Sequence, residues 1–278
     1  MNRAMLAFGR LELAESLRSK WLAFTSALYA VLFLAFVWFG LRESSVLGFS
    51  GLSRVVLSVS HALVLAIPLL VLFASSTVIV RARTSGLFEL LLVQPCRRFD
   101  WFVGVLAARM VVLIGPLLLL FLVSGLASLV MGGEAGLFAI ATRCLVISVG
   151  LIWAFSGIGF YISATAKTAE RATVLALVAW AGASALHDFA LMGILLKTSL
   201  PPSLVFALAA VNPSEAARVG ILAGVDPEVS ILGPVGFWIA NSLGARLTYA
   251  FAVGWPLSLG SIALWRAADR LQKADLVG

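Results

Sequence analysis

Residues 101–131, WFVGVLAARMVVLIGPLLLLFLVSGLASLVM, contain one charged side chain, Arg109. A hydrocarbon core about 30 Å thick is crossed by about twenty apolar residues at a helical rise of about 1.5 Å. This stretch therefore reads as a transmembrane helix. Working outward from it, further apolar runs at 21–41, 55–80, 144–166, 172–196 and 247–265 bring the expected number of spans to six. The fold class is an all-α polytopic membrane protein. Pro68, Pro116 and Pro256 fall inside spans two, three and six, where packed membrane helices kink rather than end.

Composition agrees. Hydrophobic residues make up 62% of the chain and charged ones 12%, with a mean hydropathy of +1.07. A soluble domain carries about 25% charged residues, so this chain cannot keep itself soluble. One membrane domain over 1–278 is the economical reading. The formal charge of +7 would suggest nucleic acid in a soluble protein, but the basic residues sit at the ends of apolar runs. There they act as topology determinants and lipid headgroup contacts. The two cysteines, Cys96 and Cys144, fall on opposite sides of the membrane, which argues against a structural disulfide. No small-residue cleavage pattern follows the first run, so a removed signal peptide is not expected.

Basic residues set the orientation. The amino-terminal segment, the loop after span two, the loop after span four and the tail together hold thirteen Lys and Arg; the opposite side holds six. Both termini of this multi-pass chain should be cytoplasmic. Residues 1–20 are too polar to span, and the stripe of Leu6, Leu13 and Leu17 beside Arg3 and Arg10 suits a helix lying at the interface. The segment 197–246 holds apolar stretches too short to cross, punctuated by Pro201, Pro202, Pro213, Pro227 and Pro234. It reads as short re-entrant or periplasmic helices. Asn212 can cap one of them, Pro213 suits its first position, and Glu215 follows three residues after the cap. Asp226-Pro227 repeats the pattern. A folded outer element points to a partner or a gate.

The sequence carries few signs of catalytic or metal chemistry. There is no phosphate-binding loop, CxxC pair or HExxH motif, and His61, His187 and five scattered methionines do not cluster into a metal site. The chain is expected to be non-catalytic. Gly48-Phe49-Ser50-Gly51 with His61 matches an intramembrane serine-protease pattern, but Ser50 falls in an outer loop rather than a hydrated cavity. Arg109 within span three could pair across the bundle or snorkel to the inner headgroups. His187 and Asp188 lie about 24 Å up span five, which suits a solvated helix end or contact with the outer helices better than a proton relay.

The informative stretch is the second cytoplasmic loop, residues 81–100, RARTSGLFELLLVQPCRRFD. Thr84, Ser85 and Gly86 can turn the chain and start a helix over Leu87–Val93, Glu89 suits its first turn, and Pro95 ends it. Its leucines must bury in something, either the lipid surface or a socket on a cytoplasmic partner.

Gly86-Leu87-Phe88-Glu89-Leu90-Leu91-Leu92 followed by Pro95 and Arg97 resembles the hallmark between spans two and three of type-2 ABC exporter permeases. Within that family, Asn212-Pro213-Ser214-Glu215, Leu232-Gly233-Pro234-Val235-Gly236-Phe237-Trp238 and Asp188 look like the permease serving nitrous-oxide reductase maturation. Family members often carry acidic residues before the glycine, where Arg81, Ala82 and Arg83 stand here. The resemblance implies a homodimer in a bacterial inner membrane, on two copies of a cytoplasmic ABC ATPase. That ATPase would bind ATP and Mg, and this chain would bind no cofactor. Residues 83–98 would hold the coupling helix. Asn212, Pro213, Glu215, Gly233, Pro234 and Trp238 would meet a periplasmic β-helical protein or form a gate, with a copper chaperone as a further partner. Scarce His, Cys and Met suit a machine passing force or a non-metal species. The competing class is an ATPase-independent secondary transporter or channel, which would need midplane polar groups and inverted repeats that are not found.

Overall fold

A computed structural model describes residues 3–18, 24–27, 29–31, 51–92, 96–130, 137–225 and 232–273, where all regular structure is helical. We number the helices α1 (Arg3–Arg18), α2 (Gly51–Ser75), α3 (Val78–Thr84), α4 (Leu87–Leu92), α5 (Arg98–Val130), α6 (Leu137–Thr165) and α7 (Ala169–Ala181). After a π-helical turn at Gly182–Leu186 come α8 (His187–Lys197), α9 (Pro202–Ala210), α10 (Pro213–Val225), α11 (Pro234–Ser242) and α12 (Gly244–Lys273).

Five described segments are long and apolar enough to cross a membrane: Ala62–Thr84, Arg98–Val123, Ala141–Thr165, Ala169–Lys197 and Gly244–Lys273. They correspond to expected spans two to six. Most of the expected first span, 21–41, lies outside the described residues, although 24–27 and 29–31 are helical and Thr25 and Tyr29 are buried. Helices α9 and α10 bend against each other by 119°, in keeping with a broken or re-entrant element. The helices run through Pro68, Pro116 and Pro256, as expected of packed membrane helices.

Helix α6 is the centre of the bundle, touching α2, α5, α10 and α12. Lipid tails are as apolar as leucine, so helices associate in a membrane by close packing rather than by escaping water. Gly157 and Gly260 supply it. A Cβ on Gly157 would run into the Gly260 carbonyl, and one on Gly260 would lie 2.6 Å from the Trp153 carbonyl oxygen. Around this crossing, Leu63, Ile67, Val71, Leu113, Leu117, Ile147, Leu151 and Phe155 fill the core.

Two breaks depart from the expected plain spans. Span two is interrupted at Ser76-Thr77, and the Ser163 hydroxyl accepts hydrogen bonds from the backbone N–H groups of Ile79 (2.8 Å) and Val80 (3.1 Å). Span five is interrupted by the π-turn, where the Asn212 amide donates to the Ala183 carbonyl. Neither break has a proline or a recognisable turn motif, so apolar periodicity alone could not locate them.

Helix α1 packs along α5, but not mainly through its leucine stripe, of which only Leu13 is half-buried. Leu6 and Leu17 are exposed, and Met5, Phe8, Gly9 and Glu12 form the inner face. A Cβ on Gly104 would stand 2.6 Å from the Met5 carbonyl oxygen and 3.1 Å from the Phe8 Cβ, so the two backbones nearly touch. Phe8, off the leucine stripe in sequence, belongs to the packed face, whereas Leu6 and Leu17 at the ends of the stripe face outward.

Gly157→Leu should destabilise the α6–α12 crossing by about 1–3 kcal/mol or more through overpacking. Thermal unfolding of the purified protein in detergent checks this, with Gly115→Leu as comparison because a Cβ there meets open space.

Candidate functional site

The loop joining spans two and three is built on an arginine clamp. The last carbonyls of a helix have no partner within it and carry the negative end of its dipole. At the end of α6, the Arg83 guanidinium donates to the carbonyls of Ala164 (3.1 Å) and Ala166 (3.5 Å). Arg83 thus serves a structural purpose, fixing α3 to α6.

From that clamp the chain turns. Thr84 Oγ1 donates to the Arg81 carbonyl and Ser85 Oγ to that of Ala82, both at 3.2 Å. The chain turns here and the next helix starts at Leu87, as expected, although the two hydroxyls bond back to α3 rather than forward. Gly86, at φ +73°, makes the reversal that a residue with a Cβ rarely adopts. Its carbonyl accepts from Glu89 N at 3.1 Å, opening α4.

Helix α4 divides its side chains. Phe88 is 2% exposed and meets Trp101 edge to face, with ring centroids 4.9 Å apart. Both belong to a second core with Ile79, Phe102, Phe160, Leu264 and Leu271. Leu87 is half-buried against it, whereas Glu89 and Leu90 face outward, Leu90 at 69% exposure. Leu91 and Leu92 complete the helix, and Pro95 lies outside the described residues. Arg97 sits at the entrance to α5, its carbonyl accepting from Asp100 N. Next to it Arg98 donates to the carbonyls of Leu271 and Gln272, both at 3.3 Å, joining α5 to the end of α12. Glu89 and Leu90 thus project from a platform locked to α3, α5, α6 and α12.

A second cluster lies beside the π-turn. Asn212 caps α10 as expected, its Oδ1 accepting from Ser214 N at 3.0 Å, with Pro213 in the first turn. Glu215 does not complete a reciprocal cap. Its carboxylate pairs with Arg218 at 2.7 Å, and Arg218 also reaches Asp188 on α8 at 3.4 Å. Asp188 therefore contacts an outer helix, as expected. Gly233, at φ +56°, and Pro234 open α11, whose Trp238 packs on Phe206 of α9 at 5.7 Å. Val219, Leu222 and Ile239 join α10 and α11 in a small core. Ser50 lies outside the described residues. Among the described residues no group of three or more His, Cys, Asp or Glu could hold a metal ion.

One ion pair ties the amino-terminal helix to the bundle. Glu12 on α1 meets Arg109 on α5 at 2.7 Å, and Arg109 also donates to the Ala74 carbonyl at 3.0 Å. Of its two expected fates, Arg109 takes pairing across the bundle. Glu12 lies three residues from Gly9, on the face that meets α5, and no local signal in the sequence marks it as a partner.

Comparison with known proteins now bears on these features. A family model described as ABC-2 family transporter protein matches residues 6–235. The chain is 30% identical over 251 residues to the probable ABC transporter permease protein NosY of Stutzerimonas stutzeri, covering 88% of this chain and 89% of the relative. It is also 30% identical over 261 residues to the protein of the same description in Pseudomonas aeruginosa PAO1, covering 88% and 94% respectively.

Phe88→Ala should cost about 3–5 kcal/mol, whereas exposed Leu90→Ala should leave stability within about 0.5 kcal/mol. Parallel thermal melts check the contrast. A double-mutant cycle on Glu12→Gln and Arg109→Gln should return a coupling of about 1–3 kcal/mol, since both side chains are largely shielded.

Proposed function

This chain belongs to the ABC-2 family of transporter proteins, and from that premise we propose that it works as one of two identical permease subunits, driven through α4 by a separate cytoplasmic ABC ATPase. Membership makes it a multi-pass permease subunit whose family works with an ATPase partner. The observation that carries the finer reading is the division of α4: an aromatic anchor buried inward, and an acid with a large apolar side chain presented outward.

A coupling element must satisfy two demands. It must offer a partner a recognisable surface, and it must be too firmly attached to yield when pushed. Glu89 and Leu90 meet the first demand. Phe88 in its aromatic socket, the Arg83 clamp and the Arg98 link meet the second. When the ATPases close on ATP, displacement of α4 would pass into α3, α5, α6 and α12 together. Packed interfaces tend to switch between discrete arrangements, so a small push becomes a rearrangement of spans.

The opposite end supplies the output. With α4 and both termini in the cytoplasm of a bacterial cell, α9–α11 face the periplasm. Asn212, Pro213, Glu215, Gly233, Pro234 and Trp238 then lie where a periplasmic partner or an exit gate would be. The resemblance to the permease of nitrous-oxide reductase maturation favours a periplasmic β-helical partner and a role in assembling the copper sites of that enzyme.

Co-purification of the permease with its ATPase tests the coupling reading. Leu90→Asp, or Glu89→Lys, should reduce recovered ATPase by at least about tenfold, the loss of about 1.4 kcal/mol or more at an interface anchor, while the permease still inserts and melts normally. Undiminished association and transport-coupled ATP hydrolysis in both variants would overturn it.

A further inference from the structure

At the end of the bundle that carries the α3–α4 loop, α3, α6 and α12 enclose a cleft of about 490 Å³ lined by Arg83, Ala164, Thr165, Asp269, Arg270 and Lys273. Three of these six side chains are cationic and one is acidic. Asp269 is held by Lys273 at 2.8 Å, one turn along the same helix. Among the described residues, neither Arg83 nor Arg270 has a carboxylate within ion-pair distance. Arg83 gives two donors to the carbonyls of Ala164 and Ala166, which are dipoles rather than charges, and its buried Nε has no acceptor among the described residues. The cleft keeps an excess of two positive charges, and its chemistry asks for an anion with several oxygens.

The surface next to it says which anion. Ile262, Trp265 and Arg266 precede Asp269 and Arg270 by one and two helical turns, so they continue the same face of α12 into the membrane. Ile262 is 51% exposed and Trp265 is 69% exposed. An exposed tryptophan near the end of a span is an interfacial residue, and clustered Lys and Arg beside it attract anionic headgroups. Isoleucine, then tryptophan, then cations is the order in which a phospholipid presents its acyl chain, glycerol region and phosphate. A protein carboxylate or a free phosphate would use the cations and leave Ile262 and Trp265 uncovered.

We propose that this cleft binds the phosphate of an anionic phospholipid, held by Arg83, Arg270 and Lys273, with its acyl chains lying along Trp265 and Ile262. The lipid would thereby join the end of α12 to the arginine that fixes α3. This assignment does not depend on whether α4 meets an ATPase.

The test uses the full-length protein in a neutral detergent, titrated with phosphatidylglycerol, phosphatidylcholine or inorganic phosphate, with bound lipid counted by native mass spectrometry. Phosphatidylglycerol should be retained well above phosphatidylcholine. Arg270→Gln combined with Lys273→Gln should weaken that retention by about tenfold or more, whereas Arg270→Lys with Lys273→Arg should keep it. Trp265→Ala, a surface change that preserves every charge, should weaken lipid retention and leave phosphate binding untouched. Equal retention of the two lipids, undiminished phosphatidylglycerol in the neutralised variant, or no effect of Trp265→Ala would overturn the proposal. So would inorganic phosphate alone binding as well as phosphatidylglycerol, which would mark a free-anion site. Loss of ATPase association in the neutralised variant with lipid retention unchanged would likewise reassign the cleft to a protein contact.

Discussion

In hydrocarbon there is no water to satisfy a backbone group that a helix leaves unpaired, so each must find its partner within the protein. This constraint shapes the molecule wherever its helices depart from regularity. Ser163 receives the N–H groups of Ile79 and Val80 at the break in span two. Asn212 reaches the Ala183 carbonyl in the π-turn of span five, and Arg83 covers two carbonyls at the end of α6. Within the hydrocarbon, each unpaired group of the first two kinds would cost several kcal/mol. The breaks therefore stand only because a neighbouring helix supplies the missing partner, and each repair binds two elements together.

These repairs divide the bundle into two coupled ends. At one end Ser163, Arg83 and Arg98 join α3, α5, α6 and α12 into the platform that carries α4. At the other, Asn212 and Arg218 join α10 to span five, on either side of the point where its hydrogen-bond register slips. Between them runs the tight α6–α12 crossing at Gly157 and Gly260, which lets the two helices move as one body. Span five is different. Most of its surface lies outside the core, with Val174, Val178, Phe189 and Met192 exposed, so it is free to face lipid or a second copy of the chain.

Long apolar runs made the helical class and spans two to six legible in the sequence, because a bilayer demands a length and composition that few other structures need. The short α4 was legible through its glycine, its acid and its leucines, and the cap at Asn212 through residue type. What escaped was relational. Glu12 and Arg109 lie far apart in the chain, and nothing local says that Gly9 and Gly104 bring their helices close enough for the pair to form. Apolar periodicity pointed to the leucines of α1 as its special face, yet the packed face is the one with the smallest side chain. Ser163 was invisible for a similar reason: a serine in a membrane helix declares a hydrogen bond but not its partner.

The central claim is that the outward face of α4 meets an ATP-driven partner. Cross-linking from a cysteine placed at position 90, in a background lacking Cys96 and Cys144, tests it most directly in native membranes with the ATPase present. The account predicts one dominant cross-link to the ATPase whose yield changes between nucleotide-free and ATP-bound conditions. A cysteine at position 90 that reacts only with lipid-soluble reagents, and never with the ATPase while ATP-dependent activity is intact, would contradict it.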